Sequence, residues 1–351
     1  MKKVAVGLSG GVDSSTAAFI LKQQGYDVIG ITLKLSEVDQ CNLDKQVCCS
    51  TKDILDAKKV ASFLGIPHYV IDWQEIFKEK VIDSFIKGYQ SGLTPNPCSI
   101  CNREVKTGLL AKYVKKILKA DFFATGHYIK TDFLDGEKVI KRGKDLSKDQ
   151  SYFMALVEKE VIDMLIFPLG SLTKEEVRKI AHENKIPVSQ KSESFEICFT
   201  AGKTPEEYFK SIGVPLKTGD IVHVSGKILG KHKGLEAYTI GQRKGLGIRW
   251  KEPLYVIDKD PVKNTILVGE KEYLLTDSTT AKNFNFLVPI QKWKNITVQG
   301  RYRQKPIEVK EYYFDGDTLK VIFKEKQQKM APGQILAVYQ DDILLGGGVI
   351  T

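Results

Sequence analysis

The segment that most constrains this chain is Ser9-Gly10-Gly11-Val12-Asp13-Ser14-Ser15, which lies between the apolar run from Val4 to Leu8 and a helical pattern from Ser14 to Gln24. A short apolar run that breaks into paired glycines and then into a hydroxyl-rich helix start reads as a buried strand turning directly into a helix. Glycines let the backbone turn tightly and approach an anion, while first-turn N–H groups and the helix dipole favour negative charge. Serine hydroxyls add further donors, so the string predicts a pyrophosphate cradle. It lacks the Gly-Lys-Ser/Thr of a P-loop and the Gly-x-Gly-x-x-Gly of a dinucleotide fold, which disfavours γ-phosphate hydrolysis and hydride transfer.

The pattern then repeats. Tyr26 to Leu33 reads as a strand, and Thr51 to Leu64 as a helix with Ile54, Ala57, Ala61 and Leu64 on one face and Gly65 as its stop. Ile66 to Asp72 is a further strand, followed by helices around 75–90 and 103–119 and a strand from Asp121 to Thr125. Alternating strands and helices predict an α/β unit with a parallel sheet covered on both faces and ligands at the carboxyl ends of its strands. Thr173 and Glu176 form a capping box for a helix through Asn184. After about Pro205 the texture becomes β-rich, with short Val/Ile/Tyr runs between Gly, Asp and Lys turns, and it divides near residue 275. A chain of 351 residues is long enough for two or three domains, and these shifts place them at 1–204 (phosphate-loop unit), 205–274 (small central β unit) and 275–351 (β-barrel).

With 42% hydrophobic and 27% charged residues, the composition excludes a disordered chain or a disulfide-dense miniprotein. The net charge is +10, and its excess sits in two blocks: 12 basic against 7 acidic residues in 101–150, and 9 against 4 in 201–250. Charge alone fits a nucleic-acid face or a solvated surface equally well. All six cysteines (Cys41, Cys48, Cys49, Cys98, Cys101 and Cys198) precede residue 200, and no apolar run approaches a membrane span. These features predict a cytoplasmic protein with no membrane partner, whose thiols are free, metal-bound or catalytic. Cys41, Cys48 and Cys49 receive no role.

Cys98 and Cys101 lie in Asn96-Pro97-Cys98-Ser99-Ile100-Cys101-Asn102, ahead of a helical pattern at Arg103. A thiol at a helix N-terminus beside Arg103 and Lys106 is expected to have a stabilised thiolate and to be reactive at neutral pH. Cys198, flanked by Ile197 and Phe199, reads on its own as a buried structural thiol.

The phosphate-loop string resembles the SGGxDSS loop of the PP-loop ATP pyrophosphatase superfamily, and Thr125-Gly126-His127 falls at the same predicted sheet edge. The strings GLSGGVDSS, TPNPCSICN, ATGHY, KDQSYF, EICF, GQRKGLGI, RYRQ and PGQ follow one another as in the bacterial tRNA-specific 2-thiouridylases and span nearly the whole chain. This resemblance implies ATP-dependent 2-thiolation of a tRNA wobble uridine, with adenylation of O2 and sulfur from a cysteine persulfide. It implies Cys101 as the nucleophile and Cys198 as the persulfide carrier. Gly7, Leu8, Ser9, Gly10, Gly11, Val12, Asp13, Ser14, Leu33 and Gly126 would bind ATP, with Mg²⁺ organised near Asp13. Asn96, Pro97 and Cys98 would meet the target base, and a persulfide-donor protein would supply sulfur.

One position departs from the family pattern: better-known members carry Asp where this chain has Cys98. The resulting Cys98-x-x-Cys101 pair, with Cys198, admits a second sulfur route through a [4Fe–4S] cluster on the three thiols. The residues also admit an amidating ligase that shares the loop but needs neither thiol, and a non-catalytic ATP-gated tRNA-binding or iron–sulfur sensing protein.

Lys141, Arg142, Lys144 and Lys148 cluster before Asp149-Gln150-Ser151-Tyr152-Phe153, a pattern suited to tracking phosphates while polar and aromatic groups meet bases. The resemblance implies tRNA contacts, within the anticodon stem-loop, at His127, Lys148, Asp149, Gln150, Arg301, Tyr302 and Gln334. Arg243, Lys244 and Arg249 are expected to make backbone contacts with a steep salt dependence.

Overall fold

The computed structural model describes residues 1–35, 51–192 and 197–351. Cys41, Cys48 and Cys49 lie outside the described residues. The first layer is built from β1 (Lys3–Gly7), β2 (Asp27–Lys34), β3 (His68–Asp72) and β4 (Phe122–Ala124). A hairpin of β5 (Ile129–Leu134) and β6 (Glu137–Arg142) follows, then β7 (Leu165–Ile166). Strands 3-2-1-4-7 form one sheet in which every pairing is parallel. Successive side chains of a strand face opposite ways, and β1 uses both: Val4 and Val6 pack with Ala57, Val60 and Ala61 of the helix Thr51–Leu64, while Ala5 joins Ile31, Leu33 and Cys101 on the other face. Strand order reverses between β1 and β4, which opens a crevice at their carboxyl ends.

Beyond residue 204 the chain is mainly β. Pro205 does not begin a strand; Thr204 caps the helix Pro205–Ser211 through a capping box with Glu207, a signal that Thr-Pro-Glu-Glu carries in the sequence. Next come β8 (Gly219–His223), β9 (Ile228–His232), β10 (Tyr255–Asp260) and β11 (Thr265–Gly269), which make a four-stranded sheet in the order 10-11-8-9. The last unit contains β12 (Leu275–Phe286), β13 (Thr297–Gln299), β14 (Ile307–Asp315), β15 (Thr318–Gln328), β16 (Ile335–Gln340) and β17 (Ile343–Ile350). These six strands, in the order 12-15-14-13-16-17, close into a barrel because β12 also pairs with β17, Ala281 opposite Ile350.

The β5–β6 hairpin belongs to the first unit in sequence, yet β6 pairs with β17 and extends the barrel sheet. The barrel is therefore joined to the phosphate-loop unit by main-chain hydrogen bonds. No helix of the described residues is long and apolar enough to cross a membrane.

Candidate active site

The phosphate loop occupies the carboxyl end of β1, and the helix that follows starts at Val12 with Gly11 as N-cap. Gly11 has no side chain to close over the first-turn N–H groups, so they point into the crevice with the positive end of the helix dipole behind them. The loop is braced from within: Ser14 Oγ accepts from Ser9 N at 3.1 Å and lies 3.1 Å from Ser9 Oγ, and Ser15 Oγ donates to Gly11 O at 2.8 Å.

Two glycines are fixed by space. Gly10 has φ +69° and a Cβ there would stand 2.2 Å from Asp53 O; a Cβ on Gly126 would stand 2.7 Å from Ser14 N. Gly126, at the end of β4, thus lies directly against the loop at the end of β1, as the motif order implied. Leu8 is only 2% exposed and packs beneath Gly30, so what it presents to a ligand is main chain. Leu33 is likewise buried, within the core that also holds Cys101.

Three residues that sequence reasoning missed complete the loop's surroundings. Lys174 Nζ stands 2.6 Å from Asp13 Oδ1, and Tyr128 OH donates to the same oxygen at 2.8 Å. Lys191 Nζ donates to Gly10 O at 3.0 Å and pairs with Asp53 at 2.7 Å and Asp56 at 2.8 Å. These carboxylates pull the Lys191 pKa upward against the desolvation that lowers it. Lys174 is visible in the sequence only as the residue after a helix cap, and nothing local marks Lys191.

The thiol segment departs from expectation in a defined way. Its helix begins at Pro97 and runs on without a break through Asn102–Leu109 to Lys116, so Cys98 occupies the first turn, exposed, and Cys101 the second. The dipole argument therefore applies to Cys98. Cys101 is 6% exposed, and burial pushes its thiol up to about 11; Lys106 opposes that shift and Cys98 adds to it. Arg103 is directed to Glu104 at 2.7 Å. The stabilised Cys101 thiolate expected from sequence is overturned, because loss of hydration outweighs one nearby exposed lysine. Cys198 is half-buried and packs on the same core cluster as Cys101, next to Phe199, whose ring meets Phe77 and Phe85.

Asn96 is 8% exposed and serves as the N-cap, its Oδ1 accepting from Ser99 N at 3.1 Å. Pro97 is buried, which leaves Cys98 as the exposed member of that trio. Beyond Cys101 the chain winds into a π-helix over Asn102–Leu109, a form concentrated at functional sites. Ser99 Oγ and Asn102 Oδ1 are buried with no hydrogen-bond partner. Among the described residues no group of three His, Cys, Asp or Glu side chains is placed to hold a metal ion. Cys98, Cys101 and Cys198 as arranged therefore do not fit the three-thiol iron–sulfur site.

His127 is half-buried, its Nδ1 2.7 Å from Thr125 Oγ1, and desolvation with help from Lys106 drives its pKa down to about 3. It is neutral at physiological pH and offers a hydrogen bond, not a charge. The Lys106 ammonium pulls the pKa of both Cys101 and His127 down, against burial in the first case and with it in the second.

The basic cluster at 141–148 is largely consumed internally. Lys141 pairs with Asp132 and Asp342, Lys144 with Glu176, and Arg142 with Asp149 at 3.0 Å while its guanidinium lies 3.7 Å from the Tyr339 ring centroid. Asp149, 6% exposed, also accepts from Gly143 N and from Ser151 N and Oγ. Gln150 Oε1 accepts from Tyr128 N, and Gln334 Nε2 donates to Thr94 O at 2.7 Å. Of the residues expected to face RNA, Asp149, Gln150 and Gln334 thus brace the fold, whereas Arg301, Arg243, Lys244 and Arg249 are exposed. Tyr302 packs on Phe153 with ring centroids 4.6 Å apart, and Arg303 lies over it.

Family models match along the chain: a tRNA methyl transferase HUP domain over residues 2–202, a tRNA methyl transferase PRC-barrel domain over 208–270 and an aminomethyltransferase β-barrel domain over 276–350. A protein of Persephonella marina called tRNA-specific 2-thiouridylase MnmA is 63% identical, covering 99% of both chains. Proteins of the same name from Aquifex aeolicus (51%, covering 99% of this chain and 98% of that one) and Clostridioides difficile (42%, again 99% and 98%) are also similar over their length. Over nearly its whole length, therefore, this chain belongs to the tRNA-specific 2-thiouridylase family.

Proposed function

We propose that the protein uses ATP to replace the C2 oxygen of the wobble uridine in certain tRNAs with sulfur, recognising the anticodon stem-loop. The observation that carries this reading is an uncapped helix N-terminus at the carboxyl end of β1, suited to a pyrophosphate, on a sheet whose other face packs on the core cluster of Cys101 and Cys198. The work is divided among a catalytic unit (1–204), a central unit (205–274) that offers Arg243, Lys244 and Arg249 to RNA phosphates, and a barrel (275–351) that offers Arg301 and Tyr302.

ATP is bound with its phosphates on the N–H groups of the loop and its base side bounded by Leu33 and Gly126. Mg²⁺, with phosphate oxygens and the Asp13 carboxylate as donors, would neutralise charge on the phosphates when bound. Lys174 and Tyr128 fix Asp13, and Lys191 holds the Gly10 carbonyl away from the anion. The uridine leaves the anticodon stack, and its O2 attacks the α-phosphorus, releasing pyrophosphate. The resulting AMP ester converts a poor leaving group into a good one.

Cys198 carries a persulfide delivered by a donor protein. Its terminal sulfur attacks C2 and AMP departs, leaving C2–S–S–Cys198. Cys101, after losing its proton, attacks the Cys198 sulfur; the 2-thiouridine sulfur leaves with the bonding electron pair, and a Cys101–Cys198 disulfide remains for a thiol reductant. The raised Cys101 pKa matches this late role, because a buried protonated thiol does not intercept the persulfide before the base arrives. His127 and the exposed Cys98 would contact the base or its ribose, and Lys148 the neighbouring phosphate.

The test is nucleoside mass analysis of tRNA incubated with protein, ATP and a persulfide donor. Wild type is expected to form 2-thiouridine, and Cys101→Ala and Cys198→Ala to form none. No product from wild type, or undiminished product from both variants, defeats the proposal.

A further inference from the structure

Lys259, on β10 of the central sheet, is a cation in the wrong place for a surface lysine. It is 9% exposed, and burial pulls its pKa down to about 8 although Glu236 and Asp258 act in the opposite sense. An ammonium is retained in such a site only where acceptors replace its water. Two main-chain carbonyls do so, and they belong to different parts of the molecule: Tyr238 O at 3.0 Å and Leu93 O at 3.3 Å. The Tyr89 ring faces the same group at 6.0 Å.

Each carbonyl opens a functional segment. Tyr238 immediately precedes the 239–250 loop, which carries the exposed Arg243, Lys244 and Arg249. Leu93 stands four positions before Pro97, the first residue of the thiol helix. The intervening chain is gripped again from the barrel: Thr94 N donates to Pro332 O at 2.7 Å, and Gln334 Nε2 donates to Thr94 O at 2.7 Å. Gly333 approaches so closely that a Cβ there would lie 3.0 Å from Leu93 Cβ. The approach to Cys98 and Cys101 is thus held from within its own unit, where Leu93 N donates to Gly88 O at 3.0 Å, and also by groups of the central unit and the barrel.

We propose that Lys259 is a positioning residue that couples RNA phosphates bound on the 239–250 loop to the placement of the Pro97–Cys101 helix. Movement of the loop on binding RNA shifts the Tyr238 carbonyl, the shared ammonium carries that shift to Leu93, and the thiol helix takes up the geometry in which Cys101 is uncovered. This rests on the reading of the substrate as tRNA. A methionine at 259 fills the same volume without donors, and an arginine restores them.

Lys259→Met and Lys259→Arg are compared with wild type for iodoacetamide labelling of Cys101, with and without tRNA, and for steady-state turnover in the tRNA thiolation reaction. ATP affinity unchanged from wild type certifies that Lys259→Met is folded. In wild type, tRNA is expected to change the Cys101 labelling rate by about fivefold or more; Lys259→Met abolishes that response and lowers kcat about tenfold while KM stays within about threefold, and Lys259→Arg recovers most of both. A Lys259→Met protein that keeps the tRNA-induced labelling change overturns the proposal, as does a loss confined to KM. A wild type whose labelling responds to tRNA but which makes no 2-thiouridine refutes the thiolation reading and leaves the coupling standing.

Discussion

The burial of Cys101 makes a quantitative demand on its chemistry. With a pKa of about 11, its thiolate fraction at pH 7.5 is about 3 × 10⁻⁴, against about 0.1 for an ordinary thiol near 8.5. The population penalty is about 300-fold. A more basic thiolate is intrinsically the better nucleophile, and at a Brønsted slope of about 0.4 the 2.5-unit difference returns about tenfold. Iodoacetamide should therefore label Cys101 of the RNA-free protein about thirtyfold more slowly than an unhindered cysteine, before any steric protection is counted. Because the folded pKa lies far above the assay range, the rate should climb about tenfold per pH unit from 7 to 10 with no plateau. Lys106 lowers this pKa, so Lys106→Met should slow labelling further at every pH. Peptide mapping by mass spectrometry separates Cys101 from the exposed Cys98. A Cys101 rate that levels off near pH 8.5, or matches a free cysteine at pH 7.5, refutes the buried-thiol account.

Other consequences are equally specific. Gly126→Ala forces a methyl group to within 2.7 Å of Ser14 N; at an overpacking penalty of about 1–3 kcal/mol it should weaken ATP binding by about tenfold or more in calorimetric titration. Lys191→Met leaves Asp53, 11% exposed at the side chain, without its cation and Asp56, 13% exposed, with only Lys59 at 3.5 Å, and should cost about 2–3 kcal/mol in urea unfolding; unaltered unfolding would show that the pair is solvated. Replacing Arg243, Lys244 and Arg249 together with alanine should reduce the slope of log affinity for tRNA against log salt by about 2–3. Arg142→Met, whose parent guanidinium is spent on Asp149, Gln299 and Tyr339, should leave that slope nearly unchanged and lower stability instead.

The reach of the sequence differs by type of signal. The first unit was legible because its information is local: the strand of Val4 to Leu8, the glycine pair and the helix from Thr51 each follow from a few consecutive residues. The Thr173 cap was found at its exact position for the same reason. Pairing between distant segments was not legible. Nothing in Ile129 to Arg142 announces that this hairpin joins a barrel whose strands start more than 130 residues later. The same limit applies to the charge. Lys141, Arg142 and Lys144 look like an RNA track in sequence, and only the fold brings Asp132, Asp342, Asp149 and Glu176 to them. Cys101 shows the converse error: its basic neighbours are visible in the sequence, while the core that desolvates it is assembled from β1, β2 and the helix-rich segment around Phe77.

The central claim, that O2 of the uridine is activated by AMP and replaced by sulfur, can be read from a single labelled atom. An anticodon stem-loop whose wobble uridine carries ¹⁸O at C2 is incubated with the protein, ATP and a persulfide donor, and both products are weighed. The account predicts 2-thiouridine without the label and AMP with one ¹⁸O on its phosphorus. Unlabelled AMP accompanying 2-thiouridine would contradict it.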